Sequence, residues 1–224
     1  MTGAAHAAAG LFFRNAALRL PLFLAVLLAA LPARADEFNG DFDRGKLRSK
    51  AEQCQECHGE AGLGAAEHYP KLAGQHAAYL RKQLGDFQSG ARVNAFMTPM
   101  AAAISRQDIA DIAAYFSASP RWSGEARNFS QTGRALFLDG DSARGLPACA
   151  SCHGENGVGD AQASSPIPAI AGQSESYLAH QLHAWKAGDR RNSPGDVMNE
   201  VARKLSDAEI DEIARYLSGP QAMR

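Results

Sequence analysis

The sequence has no excess of charge of either sign. Its 23 lysines and arginines face 24 aspartates and glutamates, a formal net charge of -1 at pH 7, and both signs are spread evenly along the chain. A nucleic-acid-binding face would need a basic stripe, and none is present. Long apolar runs are lacking too. The longest, LPLFLAVLLAALP at 20–32, is about a dozen residues, short of the ~20 needed to span a bilayer. No stretch alternates with period two, so strands are not expected. No nucleophile stands beside a base, and no paired carboxylates suggest bond chemistry, which argues against an enzyme. Cysteine is sparse: there are four, and all four fall in two copies of one short pattern.

The apolar run has a familiar setting. Arg14 and Arg19 precede it, and the small residues Ala33 and Ala35 flank Arg34 after it. Residues 1–35 therefore read as a cleaved secretory signal, with retention as an anchor the alternative. The mature chain would begin near Asp36 and work in an oxidising, exported compartment.

The rest is a duplication. Cys54, Cys57, His58, Gly59, Gly62 and Gly64 recur 95 residues on as Cys149, Cys152, His153, Gly154, Gly157 and Gly159. YPKLAGQ (69–75) matches IPAIAGQ (167–173) at an offset of 98, which persists through Tyr79/Tyr177, Gln83/Gln181 and Arg92/Arg190. ISRQDIADIAAYFS (104–117) then matches LSDAEIDEIARYLS (205–218) at 101. Three blocks in one order imply one fold used twice, in domains 36–120 and 129–224 joined by a Ser-, Pro- and Gly-bearing linker at 121–128.

Each unit is expected to be all-helical. A first helix should end in the cysteine pattern. Leu80, Leu84 and Phe87, like Leu178, Leu182 and Trp185, fall on one helix face. Ser105 with Asp108, and Ser206 with Glu209, resemble capping boxes, Asp108 being shorter than the usual partner. Ile109, Ile112, Ala113 and Phe116, like Ile210, Ile213, Ala214 and Leu217, form a core stripe behind them.

QCQECHGEAG (53–62) and ACASCHGENG (148–157) carry the chemistry. A redox dithiol would expect a strand–helix–strand setting, which is not visible. A structural zinc site would draw its cysteine pairs from closer together than the 91 residues between Cys57 and Cys149. Cys-x-x-Cys-His is the signature of covalent haem attachment. Two thiols one helical turn apart can reach the two vinyl groups on a porphyrin edge, and the next histidine can reach the iron. Cys54 and Cys57, and Cys149 and Cys152, thus become thioethers to two haem c groups, one per unit, with His58 and His153 as proximal iron ligands. The Pro70 and Pro168 carbonyls are candidate acceptors for the second ring nitrogen of each histidine.

The sixth iron ligand separates carrier from catalyst. Between His153 and the last capping box the second unit has one methionine, Met198, seven residues before Leu205. Met97 stands seven before Ile104, so Met97 and Met198 are the expected axial ligands. The methionine loop of the first unit is three residues shorter, which leaves Met100 open as an alternative to Met97. His68, His76, His180 and His183 have no histidine counterparts in the sister unit and read as surface residues. His/Met ligation raises the reduction potential and fills the site, as outer-sphere electron transfer requires.

With these residues on the page, the chain resembles the cytochrome c4 family. Two class I cytochrome c units each show CHGE-x-G, P-x-L/I-A-G-Q, Y-L-x-x-Q-L and a methionine seven residues before L/I-S, across most of 45–218. The resemblance implies two cytochrome c domains packed with pseudo-twofold symmetry, and a periplasmic di-haem carrier. Its implied partners are redox proteins, a cytochrome bc complex as donor and a terminal oxidase as acceptor, with some members associated with the inner membrane. A cytochrome subunit of a periplasmic dehydrogenase, or a di-haem oxidoreductase, is the alternative.

Overall fold

Asp41 caps the first helix, α1 (Phe42–Ala51), by accepting the Arg44 N–H at 2.8 Å, so that the helix begins with one of its orphan amides satisfied. The computed structural model describes residues 39–121 and 130–219; the signal at 1–35 and nearly all of the linker at 121–128 lie outside them. The first half continues with α2 (Cys54–His58), α3 (Ala77–Ser89), α4 (Met97–Ala102) and α5 (Arg106–Ala118). The second repeats the order with α6 (Gln131–Asp139), α7 (Ala150–His153), α8 (Glu175–Ala187), α9 (Val197–Arg203) and α10 (Asp207–Ser218). Among the described residues the only β pairing is two isolated bridges, so the all-helical expectation holds.

The expected stripes are core. Leu80, Phe87, Ile109, Ile112, Ala113 and Phe116 are buried in one half, and Leu178, Trp185, Ile210, Ile213, Ala214 and Leu217 in the other. Each half has its own apolar cluster. α1 crosses α5, and α6 crosses α10, at a glycine. A Cβ on Gly45 would lie 1.9 Å from the Asp111 carbonyl oxygen, and one on Gly133 2.0 Å from that of Glu212. Only hydrogen at these positions lets the helix backbones come this close.

Caps follow side-chain length. Ser206 and Glu209 form the full reciprocal box. Ser105 accepts the Asp108 N–H, but the Asp108 carboxylate takes the Ser105 hydroxyl at 2.7 Å instead of the cap amide. One methylene decides the difference.

One expectation is corrected. The first helix does not end in the cysteine pattern. Gln53 adopts a left-handed conformation, φ 57°, and separates α1 from α2. In the second half α6 stops at Gly140, and a turn closed by the Asp141–Leu146 bridge precedes α7.

The halves meet in a reciprocal polar seam. Arg92 donates to the Tyr177 hydroxyl (3.2 Å) and Gln181 (2.7 Å), while its counterpart Arg190 donates to the Tyr79 hydroxyl (3.1 Å) and Gln83 (3.0 Å). Equivalent residues exchange equivalent bonds, which is what packing about a pseudo-twofold axis requires.

Candidate haem centres

Cys54, Cys57 and His58 lie on the single helix α2, and Cys149, Cys152 and His153 on or at the cap of α7. The following loops are built alike. The His58 carbonyl accepts the Gly64 N–H at 2.7 Å, as that of His153 accepts Gly159 at 2.8 Å. The Gly62 carbonyl takes the N–H groups of Leu72 and Ala73, and that of Gly157 takes those of Ile170 and Ala171. Gly62 has φ 81°, and a Cβ there would come 2.7 Å from the Phe116 ring and 2.8 Å from the Ala73 nitrogen. Glycine is thus needed both for the turn and for the contact with α5.

These bonds carry Pro70 and Pro168 back over the histidines. His58 Nδ1 lies 2.9 Å from the Pro70 oxygen, and His153 Nδ1 3.0 Å from that of Pro168, as the sequence led one to expect. With Nδ1 donating to a carbonyl, Nε2 is the nitrogen that presents a lone pair. Burial holds both imidazoles below their usual pKa, against an opposing effect of the proline carbonyls. Both rings are thereby kept neutral, as a ligand to iron must be.

None of the four cysteines is paired in a disulfide. Among the described residues no cluster of three or more His, Cys, Asp or Glu side chains is set to hold a metal ion.

Met97 opens α4, which packs on α3, and Met198 lies in the first turn of α9, which packs on α8. Both are half-buried. The Met97 N–H donates to Asn94 Oδ1 and the Met198 N–H to Ser193 Oγ. The longer loop of the second half folds as a 3-10 turn, Pro194–Asp196, with positive φ at Gly195 and Asp196. The insertion is thus absorbed before α9, and both methionines stay at a helix start. Met100 sits nearly one turn further on, with 42 % of its surface exposed.

The donor set fits haem c: two thiols a turn apart, an imidazole with one nitrogen already engaged, and a thioether from another element. Leu63 and Val158 beside the cysteine patterns, and Phe96 and Val197 beside the methionines, are exposed apolar side chains at equivalent repeat positions. An apolar macrocycle would cover such groups.

Among the histidines, His183 is a surface residue near Asp207. His76 is half-buried, and its Nε2 lies 2.8 Å from the Val158 oxygen across the seam. Its counterpart Ser174 is buried, bonded to the Glu67 carbonyl. The two side chains differ, but each bonds a backbone carbonyl of the other half. Tyr115, Tyr216 and Trp185 are buried packing residues.

Paired helical bundles, each with a Cys-x-x-Cys-His helix and a carbonyl-held histidine, define a tandem c-type cytochrome. The cytochrome c family model matches residues 42–119 and again 130–219. The chain is 42% identical to cytochrome c4 of Pseudomonas aeruginosa over 175 residues, 77% of this chain and 86% of that one. It is 39% identical to the thiosulfate dehydrogenase electron acceptor of Stutzerimonas stutzeri over 205 residues, 87% of this chain and 91% of that one. Among solved structures, the crystal structure of reduced recombinant cytochrome c4 from Pseudomonas stutzeri superposes with a TM-score of 0.75 at 38% identity, covering 80% of this chain and 98% of that one. The chain belongs to the cytochrome c4 family, and it is a di-haem electron carrier with two covalently bound haem c groups.

Proposed function

We propose that this is a periplasmic carrier, itself no enzyme, that takes electrons from a cytochrome bc complex or similar donor and delivers them to a terminal oxidase. Cys54 with Cys57, and Cys149 with Cys152, attach the haems; His58 and Met97 bind one iron, His153 and Met198 the other. When bound, each haem supplies a one-electron couple. The chain's own residues hold the imidazoles neutral and oriented, offer the thioethers, and keep water from the irons.

The observation that carries this reading is the matched pair of His–carbonyl bonds, Pro70 to His58 and Pro168 to His153. One centre of that kind would fit many roles, whereas two alike centres with a methionine at the same place in each fit relay. The oxidised protein should show a low-spin spectrum with a methionine-sulfur-to-iron band, which Met198→Ala should halve. An unchanged band in that variant overturns the ligand assignment. Carbon monoxide should bind neither haem of the native protein; binding at one would favour an oxidoreductase.

A second reading of the partner rests on the likeness to the thiosulfate dehydrogenase electron acceptor. In that reading the donor is a periplasmic dehydrogenase. Stopped-flow reduction by such an enzyme, compared with reduction by a bc complex, separates the two.

A further inference from the structure

The strongest unassigned feature is a pair of buried glutamine side chains that reach from each half into the other. Gln173 is 4% exposed. Its Nε2 donates to the Lys71 carbonyl at 2.9 Å and its Oε1 accepts the Lys71 N–H at 2.9 Å. Gln75, also 4% exposed, does the same in return, donating to the Ala169 carbonyl at 2.8 Å and accepting the Ala169 N–H at 3.0 Å. Oε1 of each also accepts the next residue's N–H, His76 for Gln75 and Ser174 for Gln173, which fixes the side-chain rotamer.

The positions gripped are telling. The Lys71 N–H belongs to the same peptide unit as the Pro70 carbonyl, and that carbonyl holds His58 Nδ1 at 2.9 Å. The Ala169 N–H likewise shares its peptide unit with the Pro168 carbonyl, which holds His153 Nδ1 at 3.0 Å. Each glutamine oxygen therefore ends a chain that runs amide oxygen, peptide N–H, peptide carbonyl, imidazole. Hydrogen bonds in series polarise one another, and a peptide whose N–H is engaged is the stronger acceptor at its oxygen. A stronger acceptor at Nδ1 raises the basicity of the imidazole and favours the ferric state of a bound iron.

We infer that Gln75 and Gln173 are positioning residues acting in trans: Gln173, in the second half, lowers the potential of the haem held by His58, and Gln75, in the first half, lowers that of the haem held by His153. The inference rests on the reading of these histidines as proximal ligands. Its consequence is that the docking of the halves, and not each half alone, sets both potentials.

The test is a redox titration of the holoprotein with each haem followed separately by paramagnetic NMR. Gln173→Leu keeps the volume and removes the acceptor. It should raise the ferrous-to-ferric ratio of the His58 haem about two- to tenfold at fixed applied potential, with the His58 ring-proton shifts moving and the other haem unchanged. Gln75→Leu should mirror this at the His153 haem, and serves if Gln173→Leu does not fold. Gln173→Glu keeps an acceptor oxygen and should give no rise. Ser176→Ala removes a bond to the Glu67 carbonyl at the same seam (2.6 Å) without touching either proline peptide, and should leave both haems in place. A shift of the haem in the glutamine's own half, equal shifts of both, or none, overturns the inference. Absence of histidine-bound iron in the unsubstituted protein would instead overturn the ligand reading beneath it.

Discussion

The two halves solve one architectural problem with different polar chemistry. Where α1 crosses α5, the Asp111 carboxylate is buried and accepts the Asp41 N–H at 2.8 Å, Arg44 Nε at 3.0 Å and Gln107 Nε2 at 2.9 Å. Burial alone would push this carboxyl up, yet the bonds from Arg44, Asp41 and Gln107 outweigh it and hold the pKa below its usual value. Where α6 crosses α10, the counterpart is Glu212, which takes the Ser130 hydroxyl and Arg215 nearer the surface. What the halves share is a glycine at the crossing, an apolar stripe, and a carbonyl over the histidine. The shared features are those that hold the site; the polar details vary where several arrangements satisfy the same amides.

The comparison can be broken from its most consequential element downward. Replacing Cys149 and Cys152 together by alanine should abolish attachment in the second half while leaving the first pigmented. Haem staining after denaturation should fall by half, and amide exchange should show protection lost from α6 to α10 but kept in α1 to α5. Loss of both haems would mean that the halves are not separate centres.

Gly45→Ala and Gly133→Ala should each destabilise their half by about 1–3 kcal/mol, since the added carbon has no space between helix backbones. Gly85→Ala has nothing within 4 Å of the new carbon and should instead stabilise α3, by up to about 1 kcal/mol. Urea unfolding followed by tyrosine and tryptophan fluorescence reads the three variants together.

Asp111→Ala removes the buried carboxylate that ties together the Asp41 amide, Arg44 and Gln107, and should cost about 1–3 kcal/mol. Glu212→Ala should cost distinctly less, because water can replace it. Equal losses in thermal unfolding would erase the contrast between the crossings.

The smallest effect concerns acid. The Arg144 guanidinium, with the Ser206 N–H, brings the Glu209 carboxyl down to about 2. A pKa depressed on folding contributes stability that is complete above the unfolded carboxylate value, ~4.3, and is lost as pH falls toward about 2. Glu209→Gln should therefore lower the melting temperature at pH 6, with the gap to the unsubstituted protein closing by pH 2. In the first half the corresponding carboxylate, Asp108, pairs with Arg48 from α1 instead.

Much of this was legible in the chain. The cysteine patterns, the repeat, the core stripes and the proline acceptors are short-range features tied to periodicity or fixed spacing. The end of the first helix was not, because the break falls on Gln53, a residue type that rarely adopts positive φ. The helix-crossing glycines carried a signal that went unused: a glycine inside a helix usually has a packing reason. The seam was hidden in a different way. Gln75, Gln173, Arg92 and Arg190 all stood in the matched blocks, but sequence spacing says nothing of partners some hundred residues away. Polar residues repeated in both halves, beside apolar stripes, were the available hint.

The intact mass of the purified protein under denaturing conditions tests the central claim most directly. Two covalently retained haem groups per chain are expected, one on each half after proteolysis in the linker. A mass lacking one or both, or both groups on a single half, contradicts the account.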